Sequence, residues 1–110
     1  MYGIVYHLFC TVTGKSYVGQ TILSFDIRWN MHLRKSRKMN WPISRAIRKY
    51  GPFAFAKSIL GAYSSKDELD EAEIYWGEFF NCLTPNGYNL RIGDGKGKWS
   101  QEVKEKIGLL

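Results

Sequence analysis

Two tyrosines, Tyr6 and Tyr17, stand in short strand-like stretches, Gly3-Ile4-Val5-Tyr6 and Tyr17-Val18-Gly19, with ten residues between them. A turn at Thr13-Gly14-Lys15 would fold these stretches into a β-hairpin. Side chains alternate along strands, so both phenols can share one face of it, either as packing or as proton-transfer groups. Arg28 and His32 are four residues apart and flank a face formed by Phe25, Trp29 and Leu33. A lone histidine there would fit a satisfied core position, but an Arg/His pair one turn apart can reach a single anionic point such as a phosphate. Glu73 falls within the apolar stripe Leu69, Ala72, Trp76, Phe79 and Phe80, while the other acids of that segment mostly fall outside it. A carboxylate among core positions is costly unless it is paired, reaches out to water or binds a cation. Two strand tyrosines and three helix positions could therefore converge on one cation-binding patch suited to a phosphodiester.

The elements that would position these groups read from the same pattern. Residues 3–9 and 16–20 form the hairpin strands, and Ser24 caps a helix running to about Lys38. Pro42 opens a second helix, in which Ile43, Ala46, Ile47 and Tyr50 recur on one face and Arg45, Arg48 and Lys49 turn outward. Gly51-Pro52 ends it, Phe53 to Leu60 reads as a third strand, and Ser64-Ser65-Lys66-Asp67 opens a third helix to about Phe80. A short Tyr88-Asn89-Leu90 element follows. Gly93 to Gly97 reads as a linker, and Ser100 caps a further helix with Glu102 and Lys106 spaced i, i+4.

At 110 residues with 45% hydrophobic content, the chain has the material for one folded domain without staples. It lacks an apolar run of about 20 residues, which argues against a membrane span, and its N-terminus leads straight into a strand pattern instead of a signal peptide. Cys10 and Cys82 lack metal-type spacing and suit small buried thiols in an intracellular protein. The net charge of +6 is unevenly placed. Nine bases and no acid lie between Arg28 and Lys57, and six acids and no base between Asp67 and Glu78. Such a basic block is the footprint of a polyanion-binding surface, against the plainer alternative of a solvated face.

Gly3-Ile4-Val5-Tyr6, Gly14-Lys15-Ser16-Tyr17-Val18-Gly19-Gln20-Thr21, Arg28-Trp29 with His32, Glu73 in Ala-Glu-Ile-Tyr-Trp, and Gly87-Tyr88-Asn89-Leu90 occur in this order over residues 3–93. The set resembles the GIY-YIG nuclease superfamily, with Val5 inserted in the first motif and Val18 in place of the usual isoleucine as small departures. The resemblance implies an α+β fold, a small three-stranded, mostly antiparallel sheet flanked by three helices, with residues 1–93 as the catalytic domain. It implies Glu73 as the ligand of one Mg²⁺ or Mn²⁺, Arg28 as the cation that steadies the phosphate, and Tyr6 as general base adjusted by Tyr17 and His32. Asn89 would support the site, and Lys15 would add a contact. A phenol with a pKa of about 10 is a poor base unless a cation lowers that value, and Arg28, Lys15 or the metal could do so. The segment 94–110 is similar to the linker and DNA-binding modules that follow the nuclease domain in homing endonucleases, with a plain C-terminal helix as the alternative.

The reading is a metal-dependent endonuclease acting on double-stranded DNA, with Lys15, Arg34, Lys35, Arg37, Lys38, Arg45, Arg48 and Lys49 as DNA contacts. No membrane and no small-molecule cofactor are expected. The implied location is the cytoplasm of a bacterial or phage-infected cell, or its nucleoid. Two alternatives stay open: a structure-selective repair or recombination nuclease, and a basic nucleic-acid-binding module without catalysis.

Overall fold

The central strand is buried on both sides, and that fact organises the rest. The protein is described by a computed structural model over residues 1–92, so the expected linker and helix at 94–110 lie outside the described residues. Strand β1 (Gly3–Cys10) pairs antiparallel with β2 (Ser16–Thr21) on one edge and β3 (Phe55–Tyr63) on the other, in the order β2-β1-β3. Helices α1 (Phe25–Ser36) and α2 (Pro42–Tyr50) lie between β2 and β3 in the chain, and α3 (Lys66–Phe79) follows β3. This is the expected α+β arrangement, with every strand pair antiparallel.

Alternation along β1 feeds two separate cores. Tyr6, Leu8 and Cys10 pack with Ile43, Ala46 and Ile47 of α2, Phe55 and Tyr88, with Phe25, Trp29 and Leu33 of α1 against them. Val5 and Val18 pack on the opposite face with Leu69 and Cys82, covered by Trp76 and Phe80. The two cysteines thus belong to different cores, and both are free. Helix starts follow local chemistry. Ser24 accepts from the Ile27 amide at 3.3 Å, and Ser65 accepts from the Glu68 amide at 3.2 Å. The Glu68 carboxylate reaches back to the Ser64 amide at 3.0 Å, a variant of the capping box. Among the described residues, no helix is long and apolar enough to cross a membrane.

Three expectations are corrected. The third strand begins at Phe55 and not Phe53, because Pro52–Ala54 winds into a 3-10 turn that leaves the Phe53 ring in solvent. Phe79, expected in the inward stripe of α3, is 64% exposed. Its neighbour Phe80 takes the inward place by stacking on His7 at 3.9 Å, which leaves Phe79 stacked on Tyr75. Asp70, one of the segment's other acids, which mostly were expected outside the stripe, is buried as deeply as the core. It accepts bonds from β2 and from Lys66.

Candidate active site

The hairpin brings the two tyrosines together diagonally. Tyr6 pairs with Gly19 and Leu8 with Tyr17, which places the two rings on one face with centroids 6.3 Å apart. Gly19 has a steric reason to be glycine. A Cβ there would collide with the Tyr6 hydroxyl and lie 3.0 Å from the Tyr17 ring. The Tyr6 phenol therefore crosses directly beneath the backbone of β2.

Helix α1 closes over that phenol. Arg28 Nε donates to the Tyr6 hydroxyl at 3.0 Å, and the same hydroxyl meets His32 Nε2 at 2.8 Å. A guanidinium can only donate, so the phenol accepts from Arg28, while the direction of its bond with His32 is set by the imidazole tautomer. Burial, then the charges of Arg28 and Lys35, push the imidazole down to about 3, so His32 is neutral. Burial and the neighbouring Tyr17 hold the Tyr6 phenol well above its ordinary value, against the pull of Arg28. Burial also raises Tyr17, with Arg28 opposing and Glu73 adding to the rise. Arg28 and His32 do converge, as their spacing predicts, but on a buried phenol.

The open edge of β2 supplies the cleft. A hollow of about 530 Å³ is lined by Tyr17, Gly19, Gln20, Arg28, Glu73 and Asn89, among others. Tyr17 and Gly19 belong to the face covered by α1, whereas Val18 and Gln20 belong to the face covered by α3. Arg28 and Glu73 thus approach from opposite sides of the sheet and line the same cleft beyond its rim. Gln20 Nε2 donates to Glu73 Oε1 at 3.0 Å and to Asp70 Oδ1 at 2.8 Å. Lys66 Nζ lies 3.4 Å from the same Asp70 oxygen. Asn89 clamps the strand from outside: Oδ1 accepts from the Val18 amide at 3.0 Å, and Nδ2 donates to the Val18 carbonyl at 2.8 Å. The amide of Asn89 thus replaces a missing strand partner and fixes the wall that carries Tyr17.

Of the residues expected to carry chemistry, Tyr17, Arg28, Glu73 and Asn89 line this cleft, and Tyr6 and His32 sit behind it. Lys15 does not join them. It lines a second hollow with Arg45 and Lys49, which shares Pro42 and Tyr88 with the first. Arg34, Arg37 and Lys38 are exposed on and just after α1, and Lys35 lies 5.4 Å over the Trp41 ring. Arg48 is exposed, but its guanidinium ties down the end of α1 through the Ser36 and Met39 carbonyls and Asn40 Oδ1. Gln20 and Asp70 were not legible as site residues. Their only signals were the place of Gln20 directly after the second tyrosine motif and that of Asp70 one helical turn before Glu73.

Among the described residues, no cluster of three His, Cys, Asp or Glu side chains could hold a metal by itself. The single carboxylate of Glu73 facing a solvent-open cleft suits instead a hard cation that keeps several waters and takes other oxygens from a phosphate.

A family profile described as the GIY-YIG catalytic domain matches residues 2–89. Two solved structures are similar to this chain. The catalytic domain of intron endonuclease I-TevI, as a point mutant, is 28% identical with a TM-score of 0.73, over 86% of this chain and 98% of that one. The catalytic domain of homing endonuclease I-TevI is 29% identical with a TM-score of 0.68, over 80% and 97% respectively. A sequence search among curated proteins finds no match.

Proposed function

We propose, from the premise that the chain belongs to the GIY-YIG nuclease family, that it is the catalytic domain of a homing-type endonuclease. It hydrolyses phosphodiesters of double-stranded DNA with one divalent cation held at Glu73. The observation that carries this reading is that Arg28 and Glu73 line one cleft at the open edge of β2, with Tyr17 lining it too and feeling the charge of both. A bound Mg²⁺ or Mn²⁺ would withdraw charge from a phosphate oxygen there. Arg28, anchored through Nε on Tyr6, presents its remaining N–H groups to the phosphate and offsets charge that grows in the transition state.

Both phenols are protonated at rest, so Tyr6 serves as a base only once Arg28 and a bound cation have lowered it enough to release its own proton to solvent, with Tyr17 and His32 adjusting that proton. It then takes a proton from the attacking water past Gly19. The water oxygen then bonds to phosphorus as the bridging ester oxygen leaves and picks up a proton from solvent. Exposed bases of α1 and the Lys15–Arg45–Lys49 hollow contact flanking phosphates, which positions DNA without reading its sequence.

Wild type and Glu73→Ala, each mixed with supercoiled plasmid with and without Mg²⁺, test this. Nicking by wild type that requires the metal and vanishes in the variant is the expected result. Equal cutting by both would remove Glu73 from the reaction. DNA binding without cutting by either would point to a binding module instead.

A further inference from the structure

One nitrogen serves two buried carboxylates beside the cleft. Gln20 Nε2 lies 2.8 Å from Asp70 Oδ1 and 3.0 Å from Glu73 Oε1. Two carboxylate oxygens accept only, so the amide must turn its NH₂ toward them and its carbonyl away. Each amide hydrogen is then committed, one to each acid. Asp70 and Glu73 are three residues apart on α3, both under 10% exposed, and like charges at that spacing repel. Lys66 at 3.4 Å offsets part of the charge on Asp70. Among the described residues, Asp70 Oδ2 has no hydrogen-bond partner at all. A buried carboxylate with one oxygen unpaired is a poor structural choice, since an apolar residue of similar volume would serve the core at least as well. What Asp70 does hold is the amide that holds Glu73.

We infer that Gln20 is a positioning residue for the reaction: anchored by Asp70, it fixes the rotation of the Glu73 carboxylate in the orientation that receives the divalent cation. This rests on the reading of Glu73 as the metal-holding residue. Partners of this kind around a ligating side chain typically change metal affinity or activity by about 10- to 100-fold when removed. Gln20 reaches Glu73 from β2 and not from α3, so the strand that carries Tyr17 also sets the carboxylate, and the two halves of the site share one scaffold.

The test compares wild type, Gln20→Met and Glu73→Ala in the full 110-residue chain. The methionine side chain keeps the length and apolar bulk of Gln20 and lacks both donors. Three readouts are taken: binding of Mn²⁺ alone, followed by the electron paramagnetic resonance of the free ion; the Mn²⁺ concentration for half-maximal plasmid nicking; and DNA affinity without metal. Gln20→Met is expected to bind Mn²⁺ about tenfold more weakly, and its nicking is expected to need about tenfold more Mn²⁺ and recover as the metal is raised. Its DNA affinity should stay within about twofold of wild type, because Gln20 makes no charged contribution to the phosphate-binding face. A merely structural loss would not be rescued by metal. Wild-type Mn²⁺ binding and metal dependence in Gln20→Met, with both lost in Glu73→Ala, would overturn the inference and leave the Glu73 reading standing. Undiminished Mn²⁺ binding in Glu73→Ala would overturn both. Gln20→Asn, too short to span the two acids, carries the same comparison if the methionine variant does not fold.

Discussion

Replacing Gly19 with alanine adds one methyl group, and the structure says where it must go. Gly19 faces Tyr6 across the hairpin, and the new Cβ would overlap the phenol oxygen and crowd the Tyr17 ring. Tyr6 has no room to retreat, because it is fully buried with Phe25 edge-on at 5.5 Å and its hydroxyl held by both Arg28 and His32. Overpacking of a tight core costs about 1–3 kcal/mol. Displacing the hydroxyl also strands buried partners, at about 1–3 kcal/mol more. A total of about 3 kcal/mol corresponds to a fall in melting temperature on the order of 15 °C for a domain of this size. Thermal denaturation followed by circular dichroism measures it. Plasmid nicking, assayed well below the new midpoint, should be lost as well, because Arg28 and Tyr17 are aligned through the displaced phenol. Gly14→Ala is the control. A Cβ there meets nothing within 4 Å, so its positive φ of 74° costs only about 1–2 kcal/mol and cutting should survive. A Gly19→Ala protein that melts within a few degrees of wild type and still cuts would refute the locked phenol.

His32 titrates near 3 when folded, against 6.5 for the free side chain. Below 6.5 the unfolded chain therefore binds the extra proton, and stability present at neutral pH is lost as pH falls. The loss between pH 7 and pH 5 is about 2 kcal/mol from His32, with His7, also lowered by burial, acting in the same direction. Urea midpoints across this range should show it, and a His32→Gln variant with the same pH slope as wild type would disprove it. Asn89→Ala strips both partners from the Val18 backbone and should cost about 2 kcal/mol. Hydrogen exchange of the Val18 amide should accelerate sharply, and unchanged protection would mean that another group holds the strand. Removing Lys15, Arg45 and Lys49 together should flatten the logarithmic salt dependence of DNA binding by about 0.9 for each phosphate they neutralise. An unaltered slope would move the DNA path away from that hollow.

The sheet and its helices were legible because β1 is apolar at successive positions and α2 has an unbroken inward face, and these periodicities survive in the structure. Glu73 was legible for the same reason in reverse, as a charge where the stripe calls for an apolar group. Asp70 escaped because its burial is imposed by β2 and Gln20, partners some fifty positions earlier that no helical wheel contains. Phe79 failed because two adjacent aromatics cannot both face the sheet, and the place beside His7 went to Phe80. The spacing of Arg28 and His32 gave their convergence correctly, but not the object on which they converge. Whether a pair meets a phosphate or a buried phenol depends on what the opposite strand places beneath the helix.

The position of the cleft follows from where two faces of a sheet can be reached at once. A group from α1 and a group from α3 are separated by the sheet everywhere except beyond an edge strand. On β1, with neighbours on both sides, Arg28 and Glu73 could never share a ligand. On β2 they can, provided that nothing extends the sheet past the rim. Among the described residues, it is extended only part of the way. Asn89 pairs with Val18 through its side chain, and the Tyr88 amide donates to the Ser16 carbonyl at 2.9 Å, so the first half of the outer edge is sealed. Gly19, Gln20 and Thr21 line the cleft instead. That half-sealed edge also separates the charges. The basic helices cover one face and the acid-rich helix the other, so a polyanion approaching from the α1 side meets mainly basic side chains, with Asp26 the acid of α1, and encounters Glu73 only at the rim. A carboxylate set among the bases would lose its charge contrast to ion pairing. At the rim it is held by an amide from the edge strand instead.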